Sequence, residues 1–236
     1  MQSISDKFKS IYATGKYTVE TKLLIDGVTY DESRIMSLSI SNGVFASNTP
    51  SVGGCVSGEI DMVIVEPVGE IPRMAKLEPY IRLRYRNEVS EWIRKGIYYI
   101  DTRSTDSSTG MITIHGYDAM MKAEKLFDTD TLVNWGSTKS DKATVTLIRA
   151  AMDNIALDSR TVLNKSYKVP RPASGDGAEN MRTVLGYIAA AYGGNWVITY
   201  DGKLLLVPLG GIPEETYYLC DEVGNFITFG GERIEL

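Results

Sequence analysis

The chain has 236 residues, 43% of them hydrophobic and 23% charged, with a net charge of −5 and a pI near 5.1. That acidic balance argues against a protein that grips nucleic acid through its phosphates, although it suits a surface past which nucleic acid must slide without sticking. No apolar run approaches the roughly 20 residues of a membrane span, and Met1 opens a polar stretch that is no signal peptide, so the sequence predicts cytoplasmic synthesis and no membrane anchor.

In chain order, Ile4 to Tyr12 reads as a short amphipathic helix or an N-terminal arm. Tyr17–Ile25 is a strand that Asp26-Gly27 turns back into Val28–Tyr30, the residue pair a tight hairpin turn prefers. Met36, Leu38 and Ile40 alternate with serines, as in a half-buried strand. Ser41–Gly58 is rich in Gly, Ser and Asn, and a loop this long is expected to be mobile or functional. Val44 and Phe45 are embedded in it; Phe45 either tucks into its own core or docks onto a partner, which makes the pair the candidate subunit or partner interface.

Strand patterns then follow closely. Ile60, Met62 and Ile64 share one face, and Ile81, Leu83 and Tyr85 oppose Tyr80, Arg82, Arg84 and Arg86. The arginine row reads as a solvated face neutralised by nearby carboxylates more readily than as an anion ladder. Trp92–Asp101 and Met111–His115 form another pair, joined by a polar loop over Thr102–Gly110, and Tyr117–Lys125 switches to helical spacing. Consecutive short strands with turn signals point to a barrel or sandwich.

The second half changes character. Ser140–Ile155 is a helix with Ser140 or Asp141 as N-cap and Val145, Leu147, Ile148, Ala151, Met152 and Ile155 as its stripe. Leu157–Ala178 is a loop, broken by Pro170, Pro172, Gly175 and Gly177. Met181–Pro208 is the best-defined unit: an apolar stripe of Met181, Val184, Leu185, Ile188 and Tyr192, a helix stop at Gly193-Gly194, and two strands joined at Asp201-Gly202. A two-residue turn there would pair Ile198 with Leu205 and Trp196 with Val207. Thr216–Leu219 and Phe226–Phe229 read as further strands, and the final GGERIEL as the start of another, as though more sheet followed.

Chemical motifs are sparse. Cys55 and Cys220 fit no metal spacing and read as free thiols. His115, the only histidine, lies three residues before Asp118, but no nucleophile elbow accompanies it. No phosphate-binding loop, zinc spacing or calcium loop is present. Catalytic, metal and cofactor-binding residues are therefore all read as none. Two alternatives stay open: a tail-associated cell-wall glycan hydrolase using a carboxylate such as Asp101 or Asp118, and a carbohydrate-binding domain in which Trp92, Trp135 or Trp196 stacks on sugar.

The segments SVGGCVSGEIDMVIV, LEPYIRLRYR, EWIRKGIYYIDTRSTDSSTGMITIHGYDAMMKAEK, VTLIRAAMDNIAL and RTVLGYIAAAYGGNWVITYDGKLLLVP, in that order, resemble bacteriophage and prophage tail baseplate hub proteins over roughly residues 50–208. The resemblance implies a homotrimeric collar without enzymatic activity, built from tube-like β-barrels, through which genome or tape-measure protein passes. It further implies a tail tube or distal tail protein on one side, a spike- or fibre-bearing tip protein on the other, no sequence-specific nucleic acid, and a place in the virion tail. The expected fold is α+β, mainly β: a tube-like barrel or sandwich domain over residues 1–125, a helical segment over 126–192, and the start of a second, truncated sheet over 193–236.

Overall fold

A computed structural model describes residues 4–45, 49–65, 67, 69–163, 167–175 and 177–210, together with the backbone of 228–229 and 232–233. Helix α1 (Asp6–Ala13) starts where the Ser5 side chain accepts from the Phe8 N–H, and it buries Ile11. Nine strands then build one antiparallel sheet: β1 (Thr18–Ile25), β2 (Val28–Tyr30), β3 (Ile35–Ser41), β4 (Glu59–Ile64), β5 (Lys76–Tyr85), β6 (Glu88–Val89), β7 (Ile93–Arg94), β8 (Tyr98–Thr105) and β9 (Ile112–Asp118). Their order is β2-β1-β5-β8-β9-β4-β3, with β6 and β7 flanking β5.

The mainly β, α+β class is as expected, but the sheet runs from edge to edge and the pairings of the described strands do not close into a barrel. β5 and β8 share only two residue pairs, Lys76 with Tyr99 and Leu77 with Tyr98. The Asp26-Gly27 turn is a two-residue loop with Ile25 opposite Val28 and positive φ at both positions (46° and 84°), the backbone that matches strand twist. Ile60, Met62 and Ile64 are buried together with Leu23, Leu77, Tyr98 and Ile114.

Two strands carry bulges that the alternation of their sequences does not announce. In β3, Ile35 pairs with Ile64 and Ser37 with Val63, so Met36 is the extra residue and stands 61% exposed. The inward row becomes Ile35, Leu38 and Ile40, because a bulge shifts the side-chain phase by one. In β8, the register slips between Ile100 and Thr102, leaving Asp101 as the inserted residue. That strand continues to Thr105, so the polar loop is shorter than expected, while Trp92–Asp101 is interrupted at Gly96 (φ 143°) into β7 and β8. The arginine face is neutralised: Glu20 on β1 receives both Arg82 and Arg84 of β5.

A short 3-10 helix over Ala119–Glu124 takes the place of the expected helical turn, with the Asp118 side chain capping Met120 N–H. There follow α2 (Thr129–Val133), β10 (Thr138–Ser140), α3 (Asp141–Ala151), β11 (Lys168–Pro170), α4 (Met181–Ala191), β12 (Gly194–Ile198) and β13 (Leu204–Pro208); β14 (Thr228–Phe229) pairs with β15 (Glu232–Arg233). The expected strand at 216–219 and Cys220 lie outside the described residues. β11, within the proline-rich loop, pairs with β10, which leaves room for Pro170 at its end.

Ser140 caps α3 as read, but the helix ends at Ala151 because Asp153 and Asn154 both turn to φ 56°. Leu147, expected in the core stripe, faces outward, while Val145, Ile148, Met152 and Ile155 are buried. α4 carries its stripe inward as expected, with Asn180 as cap and Gly193 (φ 61°) ending the helix without a Cβ clash. Asp201-Gly202 makes a different turn from the one expected. Ile198 pairs with Leu204 and Trp196 with Leu206, one residue off the two-residue register. Thr199 N–H donates to Lys203 O and Gly202 N–H to Thr199 O, with Gly202 at φ 75°, so Tyr200, Asp201 and Gly202 form a three-residue loop.

These elements form a second core in which the 3-10 helix, α3, α4 and the β12–β13 hairpin bury Met120, Trp135, Ile148, Leu185, Ile188, Trp196 and Leu204.

Candidate functional site

The Gly/Ser-rich connection between β3 and β4 is where the two cores meet. Its backbone over Gly53–Val56 runs parallel to β12: Gly53 N–H donates to Gly194 O (2.9 Å), Trp196 N–H to Gly54 O (2.8 Å), and Val56 N–H to Trp196 O (2.9 Å). Leu157 and Leu204 form the matching parallel bridge on the outer edge of β13. Of the two expectations for this loop, mobile or functional, the structure shows an ordered pairing over this stretch: its backbone bonds a strand about 140 residues further along.

Asn195 fixes the loop. It is fully buried, its Oδ1 accepts Gly54 N–H at 2.7 Å, and its Nδ2 donates to Ser51 O at 2.7 Å and Val44 O at 3.0 Å. A carboxamide carries an acceptor and two donors, and here all three are used. Gly53 crosses α4 so closely that a Cβ on Gly186 would fall 2.7 Å from Gly53 O, which is the physical reason for glycine in the middle of that helix.

Arg182 of α4 makes the adjacent clamp. Its Nε and Nη2 donate to Cys55 O (3.0 and 2.6 Å), Nη2 also to Ser57 Oγ (3.0 Å), and Nη1 pairs with Glu124. Glu124 accepts in turn from Asn180 Nδ2 at 2.7 Å. Cys55 Sγ faces Arg182 O at 3.3 Å, and burial pushes the thiol up to about 12, so it sits as an inert neutral group.

Asp118 is buried at the same junction, accepting from Gly58 N–H (2.6 Å) and Met120 N–H (2.9 Å). Burial raises its pKa to about 7, against the opposing pull of those two donors. A second tie joins the far end of the hairpin to the sheet: Arg94 of β7 donates to Tyr200 O (3.2 Å) and meets Asp201 and Glu78, while Lys95 lies over the Tyr200 ring.

Above the junction opens a cleft of about 730 Å³, lined by Phe45, Val56, Tyr117 and Met121 and by Glu59, Asp101, Glu124 and Arg182. Val44 and Phe45 are half-buried; Val44 is held through its carbonyl, and Phe45 forms part of the cleft wall.

The residues weighed for other chemistry are dispersed. His115 pairs with Asp61 on the neighbouring strand (Nδ1···Oδ1 2.7 Å), not with Asp118, which lies on the opposite face of β9 and is buried. Trp135 and Trp196 are core residues whose indole N–H groups donate to Val169 O and Leu185 O, so neither is available to stack on sugar. Trp92 is covered by Lys22 and Arg82. Among the described residues no group of three His, Cys, Asp or Glu could hold a metal ion, and no helix is long and apolar enough to cross a membrane. Asn195 and Arg182 are what sequence reasoning missed; the Gly-Gly-Asn stop after a helix was the visible signal for the first.

No family model and no curated protein matches the sequence. In fold the chain is similar to the 43 kDa tail protein of prophage MuSo2 from Shewanella oneidensis, with a TM-score of 0.51 and 13% identity over 79% of this chain and 53% of that one. A tail protein from Neisseria meningitidis MC58 gives 0.49 and 13% over 89% and 53%. Prophage tail protein gp18 from Listeria monocytogenes EGD-e gives 0.42 and 11% over 89% and 55%. The chain spans about half the length of these proteins, and at such identity the likeness to the MuSo2 protein is one of fold.

Proposed function

We propose that this chain is a structural component of a phage or prophage-derived tail, a baseplate hub that joins the tail tube to distal tip proteins and forms a ring, most simply a homotrimer, for passage of DNA or tape-measure protein. The observation that carries this reading is the fold shared with the MuSo2 tail protein over most of the chain. The open sheet supports it: β3 is a seven-residue edge strand, Ile-Met-Ser-Leu-Ser-Ile-Ser, without a charge or a proline to discourage pairing. The other edge of the same sheet is β2 with the first half of β1, and head-to-tail pairing of two different edges closes into a ring when the rotation permits. Such a protein works through surfaces and makes or breaks no bond.

The test is light scattering and negative-stain electron microscopy on the chain mixed with the tail-tube protein of the same genome. Threefold rings capping tube ends are expected. A chain that stays monomeric and leaves the tube ends bare overturns the reading.

A further inference from the structure

We infer that the cleft at the junction of the two cores is a docking site for an extended segment of a partner protein carrying lysine or arginine next to an aliphatic side chain. The inference is independent of the hub reading.

Volume comes first. About 730 Å³ lies within the range of built ligand sites and holds several side chains, more than a bound ion would need. Next, the walls are of two kinds. Phe45, Val56, Tyr117 and Met121 give apolar and aromatic surface, while Glu59, Asp101 and Glu124 give carboxylates.

The charge is unbalanced. Arg182, the one cation on the wall, is committed to Glu124, Cys55 O and Ser57, and among the described residues neither Glu59 nor Asp101 has a cationic partner. Glu59 stands directly across from Tyr117 on β9, and Tyr117 across from Tyr99 on β8, so these side chains share one sheet face. Asp101 follows Tyr99 by two and is the inserted residue of the β8 bulge, a device that re-aims a side chain.

The occupant follows from that chemistry. A metal ion is poorly served, since the described carboxylates do not gather into a ligand set. A long cationic side chain lays its methylene stem along apolar wall while its head meets carboxylate, and an aromatic ring such as Phe45 or Tyr117 adds attraction for the cation. An aliphatic neighbour in the segment meets apolar wall such as Met121. Two cations opposite Glu59 and Asp101 neutralise the surplus, which makes the complex salt-sensitive.

The experiment uses the whole chain and three fluorescein-labelled hexapeptides: Gly-Leu-Lys-Leu-Lys-Gly, Gly-Leu-Glu-Leu-Glu-Gly and Gly-Ser-Lys-Ser-Lys-Gly. Anisotropy is expected to show saturable binding of the first, about tenfold or more weaker binding of the other two, and weakening as salt rises. Glu59→Gln with Asp101→Asn should lower affinity for the first peptide by tenfold or more, and Glu59→Lys with Asp101→Lys should reverse the preference toward the acidic peptide. That reversal is a gain that misfolding cannot imitate. Equal binding of all three peptides, no binding, or no response to these substitutions overturns the assignment. So does spermine displacing the peptide at equal concentration, which would make the ligand a small polyamine. Self-association lost in the double variant without any peptide binding would make the occupant a second copy and likewise overturn it.

Discussion

Asn195 and Gly54 are joined by a 2.7 Å hydrogen bond across 141 residues of sequence, with the buried carboxamide oxygen of Asn195 accepting the Gly54 N–H. The same side chain holds Ser51 O and Val44 O, so one residue of β12 sets the path of the connection between β3 and β4. Replacing Asn195 with alanine leaves one donor and two acceptors without this partner; Gly54 and Val44 are half-buried and Ser51 is exposed, so water recovers part of the roughly 1–3 kcal/mol that each fully buried loss would cost. Asn195→Ala is expected to lower stability by roughly 2–4 kcal/mol in urea unfolding and to make residues 49–54 more susceptible to limited proteolysis. Asn195→Asp should fall in the same range, because a carboxylate cannot donate to the two carbonyls.

Arg182→Lys keeps the charge and loses the fork. A lysine ammonium does not reproduce the set reaching Cys55 O, Ser57 Oγ and Glu124 from one planar group. A loss of about 1–2 kcal/mol is expected, with Arg182→Ala somewhat worse. Thiol labelling in a Cys220→Ser background reports it: Cys55, whose thiol burial holds protonated, should react faster in Arg182→Ala than in the parent as the loop lifts from α4.

Asp118 gives a pH signature with a definite sign. Its folded pKa, about 7, lies above its unfolded value near 4, so the stability associated with its neutral form is complete below pH 4 and is lost as pH rises through 7. The slope should appear in urea midpoints measured at pH 4, 5, 6 and 7, with a total change on the order of a few kcal/mol. In Asp118→Asn that part of the slope should vanish. A parent slope of the opposite sign that disappears in the variant would refute it.

Met36→Lys separates folding from assembly. Met36 is 61% exposed on the outer bulge of β3, so a lysine there should change monomer stability by no more than about 0.5 kcal/mol. On an edge strand a lysine discourages pairing with another chain, and the ring proposed above should not form. Rings that form undiminished would show that β3 is not the contact edge.

Much of this architecture was written in local pattern. Asp26-Gly27 specified its hairpin, Gly193 ended α4, and Ile60, Met62 and Ile64 faced the core in order. What local pattern could not show is where one extra residue is absorbed. Met36 and Asp101 are bulges decided by the partner strand, and Asp201-Gly202 took a three-residue loop where Asp26-Gly27 took a two-residue one. The junction was legible only in part. Val44 and Phe45 stood out because apolar residues are conspicuous among glycines and serines, whereas Asn195 and Arg182 act on groups more than 100 residues away, beyond the reach of any sequence window.

The contact between Gly53 and Gly186, where two backbones touch with no side chain between them, also orders events in time. During synthesis the strands of the sheet can pair as they appear, but the stretch at 51–56 has neither α4 to rest on nor β12 to pair with until residues 181–198 have been made. Its seating cannot precede them, so a nascent chain halted before residue 181 holds that stretch without a single one of these partners, and should expose it to proteases.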